Sequence, residues 1–263
     1  MTSTIKRQPR KSLKLLPILD ILAILAWGGL LFKYWLEGTL RLLIHPNYFG
    51  LVLITSIFLL LLGTIKTAQF ISDRNKFKQP EDLGHITLFP PGIGSTLLLT
   101  TAILGLIIAP GVLTSQTALQ RGISESLPEV RSQPEAFRLS VRSEERSLID
   151  WIRTLNAYPE PAAYEGQKVK VSGFVVHLPQ LEDNYLMITR FILTCCAVDA
   201  YPVALPVKLD TSRADYPPDT WLEIEGTAIV ETLSSQDNTD KRQLVISPSS
   251  IEKIPTPKDP YGY

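Results

Sequence analysis

The chain has 263 residues, a formal net charge of zero and only two cysteines. This length suits one large domain or two small ones, and two cysteines are too few for a disulfide scaffold. The zero charge conceals an imbalance, because residues 1–113 carry a net charge of about +6 and residues 114–263 one of about −6. The two halves are therefore predicted to occupy different environments. The acidic second half argues against a nucleic-acid partner, since phosphate binding needs clustered Lys and Arg.

The N-terminal part begins with a basic arm, residues 1–14, which is followed by the almost wholly apolar stretch 15–36. At about 1.5 Å per helical residue this stretch is long enough for a hydrocarbon core of ~30 Å, so it is predicted to span a membrane. A cleaved signal peptide is the alternative, but the stretch is too long and its end, Tyr34-Trp35, is bulky. Asp20, inside the stretch, is predicted to lie at the membrane interface; a helix–helix contact with a partner, or an ion or proton pathway, are the alternatives.

Two further apolar stretches, residues 48–65 and 92–113, are predicted to be the second and third spans, and the polar loop 66–91 separates them. The three spans form a membrane domain, residues 15–113. Small residues at positions i, i+4 and i+8 of the third span make a stripe that lets another helix approach closely: Thr101, Gly105 and Ala109. We therefore expect these spans to lie in the lipid bilayer and to contact a helix of a partner.

The distribution of basic residues predicts the orientation of the spans. The basic arm and the loop 66–91 together carry nine Lys/Arg, whereas the link between the first two spans carries only Arg41. Because basic loops stay on the cytoplasmic side, the arm and the loop are predicted to be cytoplasmic. Everything after residue 113 is then extracytoplasmic, in a multi-pass protein of the inner (plasma) membrane.

The C-terminal half is predicted to be a small β-domain, residues 143–254, that follows a polar spacer, residues 114–142. Ser143, followed by two glutamates, is a candidate helix start, and apolar residues then recur at helical spacing up to Leu155. Alternating apolar residues predict five short strands: 168–178, with a possible bulge at Gly173, 185–193, 202–209, 220–230 and 243–246. This pattern favours a five-stranded OB-like barrel or a sandwich, followed by an extended tail, residues 255–263.

Both cysteines lie side by side at the end of the second predicted strand, Cys195 and Cys196, with Asp199 three residues further on. Adjacent side chains of a strand point to opposite faces, so both sulfurs can meet one ion only if the strand ends there. Three interpretations stay open: a core cysteine with a tolerated neighbour, a thiol site for a soft metal or trivalent thiophile, and a redox pair. The metal site would use Asp199 or His177 as a third ligand.

The other polar candidates have ordinary structural explanations. A lone histidine on an apolar strand, such as His177, is more often structural than a ligand, and Arg190 is expected to pair with Glu182 or Asp183 in solvent. Arg190 also precedes the cysteine segment, and four residues of this region are candidate contacts for substrate or partner: Arg190, Cys195, Cys196 and Asp199. Since the sequence contains no catalytic triad, phosphate loop or nucleotide fingerprint, we expect a protein that is not an enzyme.

The segments around the cysteines resemble a known family. Residues 170–176 (KVSGFVV), residues 190–202 (RFILTCCAVDAYP) and residues 44–49 (IHPNYF) are similar to the YcgQ-like family of permease subunits. The resemblance implies an accessory subunit of a two-component membrane permease complex, whose partner is a polytopic permease subunit. It implies no catalytic residue. The alternative is a membrane-tethered thiol module that binds a soft metal ion or a redox partner through Cys195 and Cys196.

Overall fold

A computed structural model describes residues 15–72, 92–123, 142–234 and 240–263. The basic arm 1–14, most of the loop 66–91 and most of the spacer 114–142 lie outside the described residues, so the predictions for them are not addressed. The chain divides into two compact units, of which the second contains residues 41–45 as well as residues 111–263. Helices make up the first unit, and a six-stranded mixed sheet dominates the second.

In the part of the first unit that the structure describes, there are three apolar α-helices, α1 (Leu16–Leu36), α2 (Phe49–Ser72) and α3 (Ile93–Ile107). The first two are long and apolar enough to cross a membrane, whereas α3 has only 15 helical residues. Helix α2 continues seven residues beyond the predicted end of the second span. Helix α3 ends before Pro110, because proline cannot continue a helix and disfavours helical backbone in the residue before it.

Helices α1 and α2 run antiparallel and meet at small residues. The hydroxyl of Ser56 donates a hydrogen bond to the carbonyl of Gly28 at 2.9 Å. A Cβ atom added to Gly28 would lie 3.0 Å from the side chain of Leu60, and one added to Gly63 would collide with Leu25. Each glycine therefore permits a close approach of the two helices, as is common between membrane helices.

Helix α3 packs beside α1 and runs parallel to it. Trp27 Nε1 donates to the carbonyl of Leu98 at 2.9 Å, and the hydroxyl of Tyr34 donates to the carbonyl of Gly105 at 2.5 Å. The hydroxyl of Ser95 donates to the carboxylate of Asp20. Asp20 therefore makes a helix–helix contact with α3 of its own chain, and not with the partner helix that was one of the alternatives.

The predicted small-residue stripe does not lie on one helix, because α3 ends at Ile107 and Ala109 lies two residues beyond it. A Cβ atom at Gly105 would lie 2.9 Å from the Leu30 side chain, so this glycine serves the contact with α1. Thr101 and Ala109 are exposed, and the hydroxyl of Thr101 bonds back to the carbonyls of Leu97 and Leu98 in its own helix. The central residue of the predicted docking stripe is therefore occupied inside the chain.

The described residues of the second unit contain two α-helices, α4 (Ser115–Arg121) and α5 (Leu148–Ala157). The predicted helix start at Ser143 is wrong, because residues 143–145 form only a 3-10 turn. The cap is Ser147, whose hydroxyl accepts from the amide of Asp150 at 3.2 Å while the Asp150 carboxylate accepts from the amide of Ser147 at 3.2 Å. This reciprocal capping box satisfies two backbone donors at the start of α5. The glutamates after Ser143 do not form such a capping box.

The sheet of the second unit has six strands: β1 (Lys168–Val176), β2 (Tyr185–Ile192), β3 (Tyr201–Lys208), β4 (Trp221–Ser234), β5 (Asp240–Lys253) and β6 (Tyr261–Gly262). Their order is β1-β4-β5-β3-β2-β6, and β1 also pairs with β2. The pairings β3–β5 and β2–β6 are parallel, and the others are antiparallel. The five predicted strands are present; β6, within the predicted extended tail, is additional.

Strand β1 changes partner in its middle, pairing with β4 up to Phe174 and with β2 from Phe174 onward. Gly173 lies at this crossing, where a Cβ atom would be 2.5 Å from the carbonyl oxygen of Thr189. The ladder with β4 is regular at Gly173, so the predicted bulge is wrong there. An irregularity occurs instead at Glu225/Gly226 of β4. Gly173 is needed for close approach of two backbones.

Both faces of the sheet are covered by apolar side chains, which alternate along the strands. Helix α5 packs on one face through Leu148, Trp151 and Ile152. The other face holds an aromatic cluster, in which Phe174 stacks on Phe191 with ring centroids 5.5 Å apart. Because apolar side chains cover both faces, all but one residue of β2 is buried.

Candidate functional site

The two cysteines lie directly after the end of β2, in the turn that leads to β3. Strand β2 ends at Ile192, and residues 194–199 form a bend and turn. Because the strand has ended, the two side chains no longer point to opposite faces, and the sulfurs of Cys195 and Cys196 are 3.6 Å apart. Both cysteines are free thiols, Cys195 being exposed and Cys196 half-buried.

The carboxylate of Asp199 holds this turn together. Its Oδ2 accepts hydrogen bonds from the Thr194 hydroxyl at 2.6 Å and from the Cys195 amide at 2.8 Å, and its Oδ1 accepts from the Cys196 amide at 3.1 Å. Partial burial acts to raise the pKa of Asp199, but the hydrogen bonds from Cys195, Thr194 and the backbone amides outweigh it and lower the pKa to about 2. The carboxylate is therefore charged at neutral pH.

The same carboxylate keeps the neighbouring thiol protonated. Its hydrogen bond with the Cys195 side chain, together with the Cys196 thiol, raises the pKa of Cys195 to about 12. A negative neighbour disfavours the thiolate, which is the reactive and metal-binding form. Cys195 is consequently a weak nucleophile in the free protein, and a ligand that takes the thiolate must displace a proton.

The link between α1 and α2 forms part of this site. The amide of His45 donates to the carbonyl of Cys195 at 3.0 Å, and the amide of Ala197 donates to the carbonyl of Leu43 at 2.7 Å. Ile44 and Cys196 make an antiparallel bridge. Residues 43–45 thus lie along the cysteine turn and pair with backbone groups of that turn.

Two further elements hold the turn, and the sequence did not predict either. Arg121, the last residue of α4, donates from Nη1 to the carbonyl of Ala197 at 3.2 Å and to the carbonyl of Ala200. The amide of Leu193 donates to the carbonyl of Gly262 in β6 at 3.0 Å. The aromatic Tyr-Gly-Tyr end of the tail was the available signal for β6, because buried aromatic residues are unusual in a solvated tail.

The structure brings together three of the residues predicted from the sequence and places two others elsewhere. One ligand atom from each of Cys195, Cys196 and Asp199 lies within 4.8 Å of the others. His177 is not in this group, and its Nε2 lies 2.9 Å from the carbonyl oxygen of Tyr216. The geometry supports the interpretation that His177 has a structural role and is not a metal ligand.

Arg190 does not pair with Glu182 or Asp183 as expected from the sequence. Its Nε donates to the Ser172 carbonyl at 2.9 Å, and its guanidinium lies over the Trp221 ring at 5.5 Å from the centroid. Burial lowers the pKa of Arg190, with Asp259 acting in the opposite direction. Asp183 pairs instead with Arg213 at 3.6 Å. Arg190 is engaged by the sheet and is not part of the three-residue cluster.

The cluster offers two soft sulfur donors and one hard oxygen donor on one exposed turn. This donor set suits a thiophilic cation, for which thiolate is the preferred ligand. It is also compatible with thiol redox chemistry, since vicinal thiols can be oxidised. Among the described residues, no further His, Cys, Asp or Glu joins Cys195, Cys196 and Asp199 in this group.

Comparison with known families covers the chain from residue 19 to residue 263. Residues 19–124 match the DUF1980 N-terminal domain, and residues 119–263 match the DUF1980 C-terminal domain. No curated protein is significantly similar to the chain. The family match is consistent with the YcgQ-like resemblance of the cysteine segment. On these two matches, which together run from α1 to β6, the chain belongs to the DUF1980 family.

Proposed function

We propose that this protein is an accessory subunit of a two-component membrane permease complex. Three helices anchor it in the inner membrane, and its β-unit projects from the extracytoplasmic face. The observation that carries this proposal is that residues 41–45, which connect α1 to α2, belong to the β-unit and bond to its cysteine turn.

This connection supports a third membrane crossing by the short helix α3. If α1 and α2 both cross, residues 41–45 lie on one side of the membrane and the end of α2 lies on the other. The β-unit includes residues 41–45 as well as residues 111–263, so the chain has to return between Ser72 and Gly111. Helix α3 is the described element in that interval, and it runs parallel to α1 as a third span would.

The sidedness follows from charge. The basic arm contains five Lys/Arg and no acidic residue, whereas the link 37–47 contains one basic residue. Under the positive-inside rule the arm is cytoplasmic, so the link and the β-unit are extracytoplasmic. The β1–β2 pairing further supports a closed OB-like barrel, because it joins the two ends of the order β1-β4-β5-β3-β2.

The composition of the helices supports the role of an accessory subunit and not that of the transporter itself. A transport path needs polar or charged groups that face a cavity. Within α1, α2 and α3 the ionisable side chains are Asp20, Lys33, Tyr34 and Lys66. Asp20 is bonded to Ser95, and Lys33 lies one turn before Glu37, 3.7 Å from its carboxylate. The path would therefore belong to a polytopic partner.

Co-purification from native membranes tests the proposal. The tagged full-length protein, extracted in mild detergent, is expected to retain one polytopic membrane protein at near-equal stoichiometry through size exclusion. Reconstituted transport should require both proteins. The Cys196→Ser variant is the matched control and should retain the partner, because the thiol is not proposed to hold the complex. Purification of the chain alone, or transport by the chain alone, would overturn the proposal.

Reporter fusions test the topology independently. An enzyme that is active only outside the cytoplasm should be active when fused after Arg41 or after Tyr263, and inactive when fused after Lys76. Activity after Lys76 together with inactivity after Tyr263 would contradict the proposed orientation. Inactivity after Tyr263 with activity after Arg41 would contradict the third crossing.

A further inference from the structure

We propose that Cys195, Cys196 and Asp199 form an exchange site for a divalent thiophilic cation that prefers tetrahedral coordination, of the Zn²⁺ type. The further suggestion that this ion is the cargo of the transport complex rests on the proposed permease function. The binding itself does not depend on that role.

The distance between the two sulfurs indicates which coordination geometry the site favours. With a metal–sulfur distance of about 2.3 Å, sulfurs 3.6 Å apart subtend about 103° at the metal. This angle is close to the tetrahedral value of about 109°. A linear two-coordinate ion would require the sulfurs to be about 4.6 Å apart at the same bond length. The observed spacing therefore favours a tetrahedral ion without rearrangement of the turn.

The backbone around the cysteines is held in place before an ion arrives. The His45 amide fixes the Cys195 carbonyl, the Leu43 carbonyl fixes the Ala197 amide, and Arg121 binds two carbonyls of the turn. A preorganised turn loses little conformational entropy on binding, and this stabilises the bound state.

Asp199 can act as the third ligand while it keeps its hydrogen bonds. Oδ2 accepts two hydrogen bonds, whereas Oδ1 accepts one, from the Cys196 amide. A carboxylate oxygen has two lone pairs, so Oδ1 retains one for a cation. The amide bonds at the same time fix the orientation of the carboxylate, as partners of metal ligands commonly do.

Three protein ligands leave one tetrahedral position open. Structural zinc sites are closed by four protein ligands, whereas sites with three keep a position for water or another molecule. Cys195 is exposed, so the cluster is accessible to solvent and to an incoming ligand. An incoming ligand from a partner could occupy the open position and accept the ion. The site is therefore suited to transfer of an ion and poorly suited to permanent structural binding.

Binding requires no oxidant or reductant. The two Sγ–H bonds break, their protons pass to solvent, and two metal–sulfur bonds form. The thiolates and the Asp199 carboxylate together bring three negative charges to a divalent ion. The charge that remains is −1 before a fourth ligand is added.

Co²⁺ substitution tests the site directly. The full-length protein is purified in detergent, reduced with a phosphine and titrated with Co²⁺ and then Zn²⁺. We expect one equivalent of Co²⁺, sulfur-to-cobalt charge-transfer absorption, the d–d bands of a tetrahedral ion, and displacement by Zn²⁺. Cys195→Ser and Cys196→Ser should each weaken binding by about 100-fold or more, and Asp199→Asn by about tenfold. His177→Gln is the matched control and should bind as the original chain does.

Octahedral bands without charge transfer, or equal binding by both Cys→Ser variants and the original chain, would overturn the proposal. Loss of binding in His177→Gln but not in Asp199→Asn would replace the third ligand and overturn the assignment. Each variant is first checked for an unchanged elution volume and melting temperature, so that misfolding is not scored as lost binding. Binding without a co-purifying partner would refute the permease role alone, and a partner without binding would refute the cation site alone.

Discussion

The backbone amide of His45 donates a hydrogen bond to the carbonyl of Cys195, 150 positions further along the chain, at a distance of 3.0 Å. His45 lies between α1 and α2, and Cys195 lies in the turn between β2 and β3. The connection between two candidate membrane helices is thereby bonded to the only pair of cysteines in the chain. A substitution in either segment is therefore expected to alter the conformation of the other.

Replacement of His45 by proline removes this donor. We expect His45→Pro to lower the Co²⁺ affinity by about tenfold, because a lost hydrogen bond of about 1.4 kcal/mol loosens the turn that holds the thiols. His45→Ala is the control, since it keeps the amide and removes only the ring, which meets Tyr263 edge-on at 5.2 Å. Equal affinity in the two variants would show that the backbone bond does not support the site.

Removal of the Asp199 carboxylate should make Cys195 more reactive. The carboxylate raises the pKa of Cys195 to about 12, so the thiolate fraction at pH 8 is small in the original chain. Asp199→Asn is expected to lower this pKa and to speed alkylation of Cys195 at pH 8 by about tenfold or more. The rate in the original chain should continue to rise with pH above pH 10.

The alkylation is measured by iodoacetamide labelling and peptide mass spectrometry in a Cys196→Ser background, so that only one thiol reacts; this background loses the contribution of Cys196 to the raised pKa but keeps Asp199, which is the largest cause. Asp183→Asn serves as the matched control, since Asp183 is an exposed carboxylate that pairs with Arg213. A plateau of the rate below pH 9 in the chain that retains Asp199 would contradict the raised pKa.

The local patterns of the sequence were sufficient to predict the main elements. Alternation located β1 to β5, and hydropathy located the apolar helices, because both depend on residues close together in the chain. The end of β2 and the grouping of Cys195, Cys196 and Asp199 could also be anticipated, since these residues lie within five positions.

The support of the site could not be predicted in the same way. Arg121, residues 43–45 and Gly262 reach the cysteine turn from distant parts of the chain, and their bonds involve mainly backbone atoms. Backbone groups are the same in every residue except proline, so such contacts leave little trace in a single sequence. Arg190 was mispredicted for a related reason, because the aromatic ring that it covers, Trp221, is 31 positions away.

Gly173 is predicted to be required at the crossing of β1 and β2. In Gly173→Ala the new Cβ would lie 2.5 Å from the Thr189 carbonyl oxygen, and backbone cannot move aside as a flexible side chain can. We expect a loss of about 1–3 kcal/mol in the free energy of unfolding, as for other overpacked sites. Gly111→Ala is the control, since no atom lies within 4 Å of its added Cβ. Thermal unfolding in detergent measures both, and equal melting temperatures would refute the crossing.

Ser147 and Ser143 give the sharpest comparison of the two candidate helix starts. Ser147 accepts a hydrogen bond from the amide of Asp150 and caps α5, whereas Ser143 begins a 3-10 turn and makes no capping bond to α5. Loss of an N-cap hydroxyl costs about 1 kcal/mol, so Ser147→Ala should lower the melting temperature by about 2–4 °C. Ser143→Ala, the matched control, should leave it within about 1 °C, since surface substitutions change stability little. Because α5 packs Trp151 and Ile152 against the sheet, the loss should appear in the unfolding of the β-unit as a whole. A larger effect at Ser143 than at Ser147 would return the helix start to the position that the sequence suggested.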